Sequence, residues 1–323
     1  MKMNPKFLLI RLLVLLSLPI LLTSCDGELL YRVLVAIYDA PIDDPLYADT
    51  FVTIEGIEIN GKELDDFNGP KTINISNLQN GILFELVKDA GLPSGEYDEM
   101  TLLLNYDEDD QGEAPGCYLN TSYGRKLDLS NGLSGIQKIT LNKDLNLSED
   151  ATNRFIIDFD LRKTIKNGGP GDQEDMVFVS PSGIAEGLRL VNQDETGTLK
   201  GSITLPSPNS FTVNYFAVYA YKKGTFDRSS EEIDVDGDGI PFENAVTSTS
   251  TGFNKTGSTR EFSMYYLEEG EYDLVFEAYS QIEFSASQFG FAVPTATQSI
   301  TYPITIKAGE ETTINLDDIE IIP

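Results

Sequence analysis

Phe51-Val52-Thr53-Ile54-Glu55-Gly56-Ile57-Glu58-Ile59-Asn60 reads as a β-strand with one flaw. Val52 and Ile54 alternate with polar residues before Gly56, whereas Ile57 and Ile59 alternate after it, so the period-2 phase slips by one residue at the glycine. A side-chain period of two marks a strand. One extra residue in a β-bulge restores a single buried face across such a slip. The segment therefore predicts a bulged strand with one packed face.

Working outward, Val33 to Tyr38 is a β-branched and aromatic run closed by Asp39-Ala40-Pro41 and an acidic loop through Pro45, and it predicts the first strand. Phe155, Ile157, Phe159 and Leu161 alternate with Asp158 and Asp160, the pattern of a strand with one wet face. Leu83, Leu86, Val87 and Ala90 fall at helical spacing, with Gly91 and Pro93 beyond, so one short helix is expected over Ile82 to Ala90. Nearly all the rest reads as strand. A polar stretch, Gln193-Asp194-Glu195-Thr196-Gly197, precedes a fresh strand at Leu199 to Leu205. The chain of 323 residues exceeds one typical core. The expected fold is mainly β: two β-sandwich domains, residues 31–195 and 196–323, with at most one short helix.

The two halves share a local phrase. Leu92-Pro93-Ser94-Gly95-Glu96-Tyr97-Asp98 leads into one strand, and Leu267-Glu268-Glu269-Gly270-Glu271-Tyr272-Asp273 leads into another. A glycine turn that delivers a tyrosine to a strand start can lock the corner of a sandwich.

The chain opens with Lys2, Lys6 and Arg11 around a short apolar stretch, followed by an uncharged, apolar-rich run from Leu12 to Leu22. That order describes an export signal over residues 1–24. The run is about half the roughly 20 residues of a membrane span. It closes on Leu22-Thr23-Ser24-Cys25, which resembles the lipobox of bacterial lipoproteins and implies lipid on Cys25, with residues 25–30 as a short tether. Stable anchoring takes at least two acyl chains, which lipoprotein maturation supplies. Asp26 resembles an inner-membrane retention signal of enterobacteria, a rule other phyla do not follow, and the outer membrane is the expected location, with surface exposure as a further expectation. Cys117 would then be the one remaining thiol, placed among acids rather than beside the cation or histidine that a reactive thiolate needs.

Acidic residues number 52 against 23 basic, and removing a signal that holds three cations and no acid takes the net charge from −29 to −32. Such a charge repels phosphate backbones, which excludes nucleic acid as a partner. The chain has no histidine, so Ser-His-Asp triads, Cys-His pairs and histidine-ligated zinc are excluded together. No motif selects a catalytic carboxylate pair, and no enzyme activity is expected.

From about Tyr31 to Ile203 the chain resembles the domain of unknown function 4382 family, found in lipoproteins of the Bacteroidetes type. The resemblance is carried by Tyr38-Asp39-Ala40-Pro41, Val52 to Asn60, Leu78-Gln79-Asn80-Gly81, Leu92 to Tyr97 and Asp158-Phe159-Asp160. It implies location and fold and brings no activity. The second half, through Leu267 to Tyr272 and Ile304 to Leu316, looks like the transthyretin-like or carboxypeptidase-regulatory-like sandwiches, which implies a module for packing, spacing or binding.

The sharpest local feature is Asp234-Val235-Asp236-Gly237-Asp238-Gly239-Ile240-Pro241-Phe242-Glu243. Carboxylates at the first, third and fifth positions and a glycine at the sixth match the start of a calcium loop, with Ile240 offering its carbonyl. Phe242 and Ala245 then stand where further ligands are usual, leaving Glu243 to close the sphere from a differently bent loop. The expected metal ligands are thus Asp234, Asp236, Asp238, Ile240 and Glu243, around a structural Ca2+; the competing reading is a solvated acidic turn. Asp107-Glu108-Asp109-Asp110 reads as a solvated loop, with a second ion site as the alternative, and Asp43 and Asp44 give a weaker signal still. Tyr215, Tyr219 and Tyr221, or Tyr265 and Tyr266, would stack on sugars if exposed, and otherwise pack inside the sandwich. The expected function is a lipid-anchored envelope module that binds an unknown protein or glycan; the alternative is a structural subunit of an envelope, pilus-like or nutrient-uptake assembly.

Overall fold

The computed structural model describes residues 30–40, 47–121, 124–149, 151–167, 176–204, 213–231, 242–251, 259–280 and 300–317. With strands numbered along the chain, the first half builds two sheets. One runs in the order β13 (Leu188–Asn192), β10 (Thr152–Asp160), β1 (Leu30–Ala40) and β5 (Phe84–Pro93). The other runs β8 (Lys126–Asp128), β7 (Tyr118–Thr121), β2 (Tyr47–Ile59), β6 (Glu99–Asn105) and β9 (Ile136–Asn142), with β3 (Lys62–Glu63) and β4 (Lys71–Asn74) also on β2. Ile37, Val87, Phe155 and Ile157 of the first sheet and Ile54, Ile57, Leu102 and Ile139 of the second share one buried core, so the two sheets form a sandwich. A short antiparallel pair, β11 (Ile165–Asn167) with β12 (Met176–Phe178), adds Ile165 and Phe178 to the same core.

A turn of 3-10 helix at Gln193–Glu195 joins β13 to β14 (Thr196–Thr204). The second half pairs β17 (Thr259–Glu268), β14 and β20 (Glu311–Asp317) in one sheet. Its other sheet holds β16 (Thr247–Ser250), β15 (Val213–Lys222), β18 (Gly270–Ser280) and β19 (Ile300–Ile306). Leu199, Phe262 and Leu316 face Val218, Leu274 and Ile306 across a second core.

The slip at Gly56 is a bulge. Ile54 pairs with Leu104 and Gly56 with Leu103, leaving Glu55 as the extra residue, and Val52, Ile54, Ile57 and Ile59 are all fully buried. A Cβ on Gly56 would meet the Leu103 Cδ1 at 3.0 Å, so the glycine permits the close approach of β6. The two tyrosine turns are also alike. The Tyr97 hydroxyl donates to the Pro93 carbonyl at 2.6 Å and the Tyr272 hydroxyl to the Glu268 carbonyl at 2.7 Å, each reaching four residues back.

Two expectations are corrected. Ile82 to Ala90 is not helical: residues 84–93 form the edge strand β5. Its pairing with β1 shifts register twice, which lets the adjacent Leu86 and Val87 both face the core before alternation resumes at Ala90 and Leu92. A doubly shifted strand thus places apolar residues at helix-like spacing. The α-helices among the described residues are three short ones instead of one: α1 (Leu161–Thr164), α2 (Pro181–Gly187) and α3 (Arg228–Glu231). Ser180 caps α2 by accepting from the Gly183 amide, and Pro181 occupies its first turn.

The second correction concerns Asp158 and Asp160. Their face of β10 is not wet, for the two residues are 1% and 4% exposed. Strand β10 is hydrogen-bonded on both sides, by β1 and β13, and β16 of the second half covers its aspartates.

Candidate functional site

The junction between the halves is polar. Asp158 accepts from the Arg189 guanidinium at 2.6 Å and from the Thr247 hydroxyl at 3.1 Å. Arg189 also donates to the Tyr266 carbonyl at 2.6 Å, and the Tyr266 hydroxyl donates to the Gly81 carbonyl at 3.1 Å. Arg162 donates to the Ser248 hydroxyl at 2.5 Å, and Ser248 to Asp160 at 3.3 Å. The Tyr38 ring meets Tyr266 edge to face at 5.2 Å. At Gly81 (φ +81°) a Cβ would come within 2.8 Å of the Tyr265 ring, so only glycine fits that turn against the second half.

Burial dominates the electrostatics here. Loss of water pushes the fully buried Asp39 carboxyl well above the usual carboxylate range, and the neighbouring Asp158 and Asp160 push it further. Burial raises Asp160 as well, against the pull of Lys163 and Arg162. Among the described residues, Asp39 Oδ1, Asp158 Oδ1 and Arg189 Nε are buried with no hydrogen-bond partner.

Arg189 reaches from this network into a cleft of about 650 Å³. One wall is Lys138, Thr140, Leu141 and Asn142 of β9 with Lys143 just after it; the other is Pro181, Ser182, Ala185 and Glu186 of α2 with Leu188 to Leu190 of β13. Glu268 of the second half lines the same cleft, where the Lys143 ammonium donates to Glu268 at 2.5 Å and to the Leu190 carbonyl at 2.8 Å. Partial burial pushes Glu268 up, but Lys143 outweighs it and holds the carboxyl below its usual range.

The main chain of β9 gives the cleft its chemistry. Tyr106 N–H donates to the Gly135 carbonyl and Lys143 N–H to the Asp98 carbonyl. These bonds fix the phase of the β6/β9 ladder, because bonded and non-bonded pairs alternate between antiparallel strands. With Leu102 opposite Ile139, residues Gln137, Ile139 and Leu141 bond to β6. Ile136, Lys138, Thr140 and Asn142 therefore turn their N–H and C=O groups outward, and among the described residues no strand pairs with that edge.

The expected site residues are scattered. Cys25, Asp43, Asp44, Asp234, Asp236, Asp238 and Ile240 lie outside the described residues. Glu243 is exposed in a turn following Phe242. Asp107 to Asp110 form an ordered loop in which Asp109 accepts from the Gln111 and Glu113 amides at 3.0 and 2.9 Å and from Lys126 at 3.2 Å. Among the described residues no three acidic or cysteine side chains converge as a metal-ligating group. Tyr219 and Tyr221 are buried, with Tyr219 stacked on Phe242 at 4.3 Å, and Tyr265 and Tyr266 pack against Tyr38. Tyr219 and Tyr221 thus pack inside the protein, whereas Tyr265 and Tyr266 are half-buried. Cys117 is fully buried, and burial pushes its thiol up to about 12.

Sequence reasoning missed Arg189, Lys143, Thr140 and Glu268. The local hint was a cation between Leu188 and Leu190 in a buried strand.

Residues 32–180 match the family model described as Domain of unknown function (DUF4382). No curated protein matches the chain. Solved structures with some likeness include a leucine-rich repeat protein from Bacteroides thetaiotaomicron VPI-5482, at 11% identity and TM-score 0.23 over 90% of this chain and 26% of that one. The chain thus spans about a quarter of that protein's length. GBS52, the minor pilin of Streptococcus agalactiae, aligns at 12% identity and TM-score 0.21 over 90% of this chain and 96% of its own. A putative cell adhesion protein (BF2867) from Bacteroides fragilis NCTC 9343 aligns at 10% identity and TM-score 0.22 over 90% and 93%. The sandwich assignment rests on the strand pairing and the shared cores described above.

Proposed function

We propose that this chain is a lipid-anchored, non-enzymatic binding or adhesion module of the cell envelope, held at the outer membrane through Cys25. Two sandwich domains, residues 31–195 and a transthyretin-like 196–323, would stand close to the membrane behind a tether of six residues. The observation that carries the binding reading is the cleft at the junction. Each cation in it is already engaged by a carboxylate, Lys138 by Glu58, Lys143 by Glu268 and Arg189 by Asp158. Such groups suit positioning and recognition more than proton transfer. The second reading, a structural subunit of an envelope assembly, is favoured by the open edge of β9.

Labelling growing cells with an alkyne-bearing palmitate tests the anchor. Label on the wild type, lost in Cys25→Ser together with outer-membrane fractionation, is expected; an unlabelled wild type overturns it. Protease shaving of intact cells then separates a surface position, with release of peptides from 196–323, from a periplasmic one. Calcium in the Asp234 loop would raise the melting temperature of the wild type and not of a variant with Asn at 234, 236 and 238. No response in the wild type removes that ion from the account.

A further inference from the structure

We propose that the cleft between β9, α2 and β13 binds an extended, acidic peptide segment as an added strand on β9. The inference rests on the reading of the chain as a binding module and names what that module takes.

Three observations meet here. First, the ladder phase leaves the N–H and C=O groups of Lys138, Thr140 and Asn142 facing away from β6, and these same residues line the cleft. A row of donors and acceptors at every second residue is the recognition pattern of another strand, not of a sugar ring or a flat cofactor. Second, the cleft has a volume in the range of ligand sites, about 300–1,000 Å³. Its far wall is α2 and β13, so an entering segment is held between an edge and a wall. The wall also blocks continuation of the sheet, which restricts the occupant to a single strand and disfavours stacking of whole sheets edge to edge.

Third, the cleft gathers three cations in an acidic chain, each paired with one carboxylate. Lys138, Lys143 and Arg189 line it against Glu186 and Glu268, in a protein of net charge −29. The Lys138 side chain is 63% exposed, so its ammonium can accept a second carboxylate from solvent while keeping the half-buried Glu58. An acidic segment is repelled by most of this surface and accepted here, whereas a basic segment would be held anywhere. Ser182, exposed on α2, and Asn142 supply further polar contacts at the rim.

The probe is a phage-displayed library of random seven-residue peptides, selected on the full chain and followed by synthesis of the enriched sequences. Enriched peptides are expected to alternate and to carry Asp or Glu. Their affinity should fall at least tenfold in Thr140→Pro, which removes an N–H that β6 does not use, and in Ser182→Trp, which obstructs the cleft from an exposed position. Both variants should melt within a few degrees of the wild type, since proline is tolerated where the N–H of an edge strand faces outward. With peptide at saturation, amide exchange at Lys138, Thr140 and Asn142 should slow at least tenfold while Ile139 is unchanged. No enrichment, peptides that bind Thr140→Pro and Ser182→Trp as well as wild type, or exchange that slows elsewhere would overturn the proposal. Palmitate labelling and shaving are unaffected by any of these results, so the envelope reading stands or falls separately.

Discussion

The loop Asp107–Asp110 and the strand β10 each hold aspartates within a few residues of one another, in opposite surroundings. In the loop, Asp109 accepts two backbone amides and Lys126, and Asp107 accepts the Gly135 amide at 2.8 Å. Burial pushes Asp109 up, but those amides and Lys126 together hold it below the usual carboxylate range. On β10, Asp158 and Asp160 are covered by the second half, and burial raises Asp160 and the nearby Asp39. The loop acids are thus satisfied at the surface, by amides of their own loop and by groups of adjoining segments. Acids at every second position of a strand hold a tertiary contact.

Arg189→Met should have the largest effect, because it strands Asp158 without its cation inside the junction and frees the Tyr266 carbonyl. Removing one partner of a buried pair costs about 3–5 kcal/mol, read by urea unfolding at pH 7. A loss under about 1 kcal/mol would mean that water reaches Asp158 and would erase the contrast with the loop.

Asp39→Asn should act in the other direction. A carboxyl raised in the folded state binds protons that the unfolded chain has released, so its cost is absent below the unfolded value near 3.9 and builds as pH rises through the folded one. The variant is expected to be more stable at pH 7, on the order of 1–2 kcal/mol, the cost of one buried acceptor left unpaired. The gain should shrink as pH falls toward 4. A variant less stable than wild type at pH 7 would show that the Asp39 charge is stabilising.

Asp109→Asn gives the smallest effect and the mirror-image pH profile. It keeps an acceptor for the two amides and loses the charge toward Lys126, a cost of roughly 0.5–1 kcal/mol. A carboxyl lowered by folding contributes stability above its unfolded value and loses it as pH falls through the folded one. The difference in melting temperature should therefore be present at pH 7 and vanish in acid, and a difference that grew in acid would contradict the hydrogen bonding seen in the loop.

Local features were legible in the sequence. The bulge at Gly56 follows from a phase slip within ten residues, and the tyrosine turns bond across four. What failed depended on partners far away in sequence. Alternation at Phe155 to Asp160 identified two faces but could not say that Thr247 and Ser248 cover the second one. The spacing at 83–90 mimics a helix because β1 shifts register beside it. The cleft was illegible for the same reason, since β9, α2, β13 and Glu268 meet only through the two sandwiches.

The second half covers the aspartate face of β10 and so completes the cleft. Hydrogen-exchange mass spectrometry across a urea series, on wild type and Ser248→Leu, tests this directly. Ser248 lies in the second half, yet peptides from β6 and β10 should lose protection at a lower urea concentration in the variant, together with peptides from β18. If only peptides from residues 196–317 shift, the halves unfold independently and the junction does not hold them together.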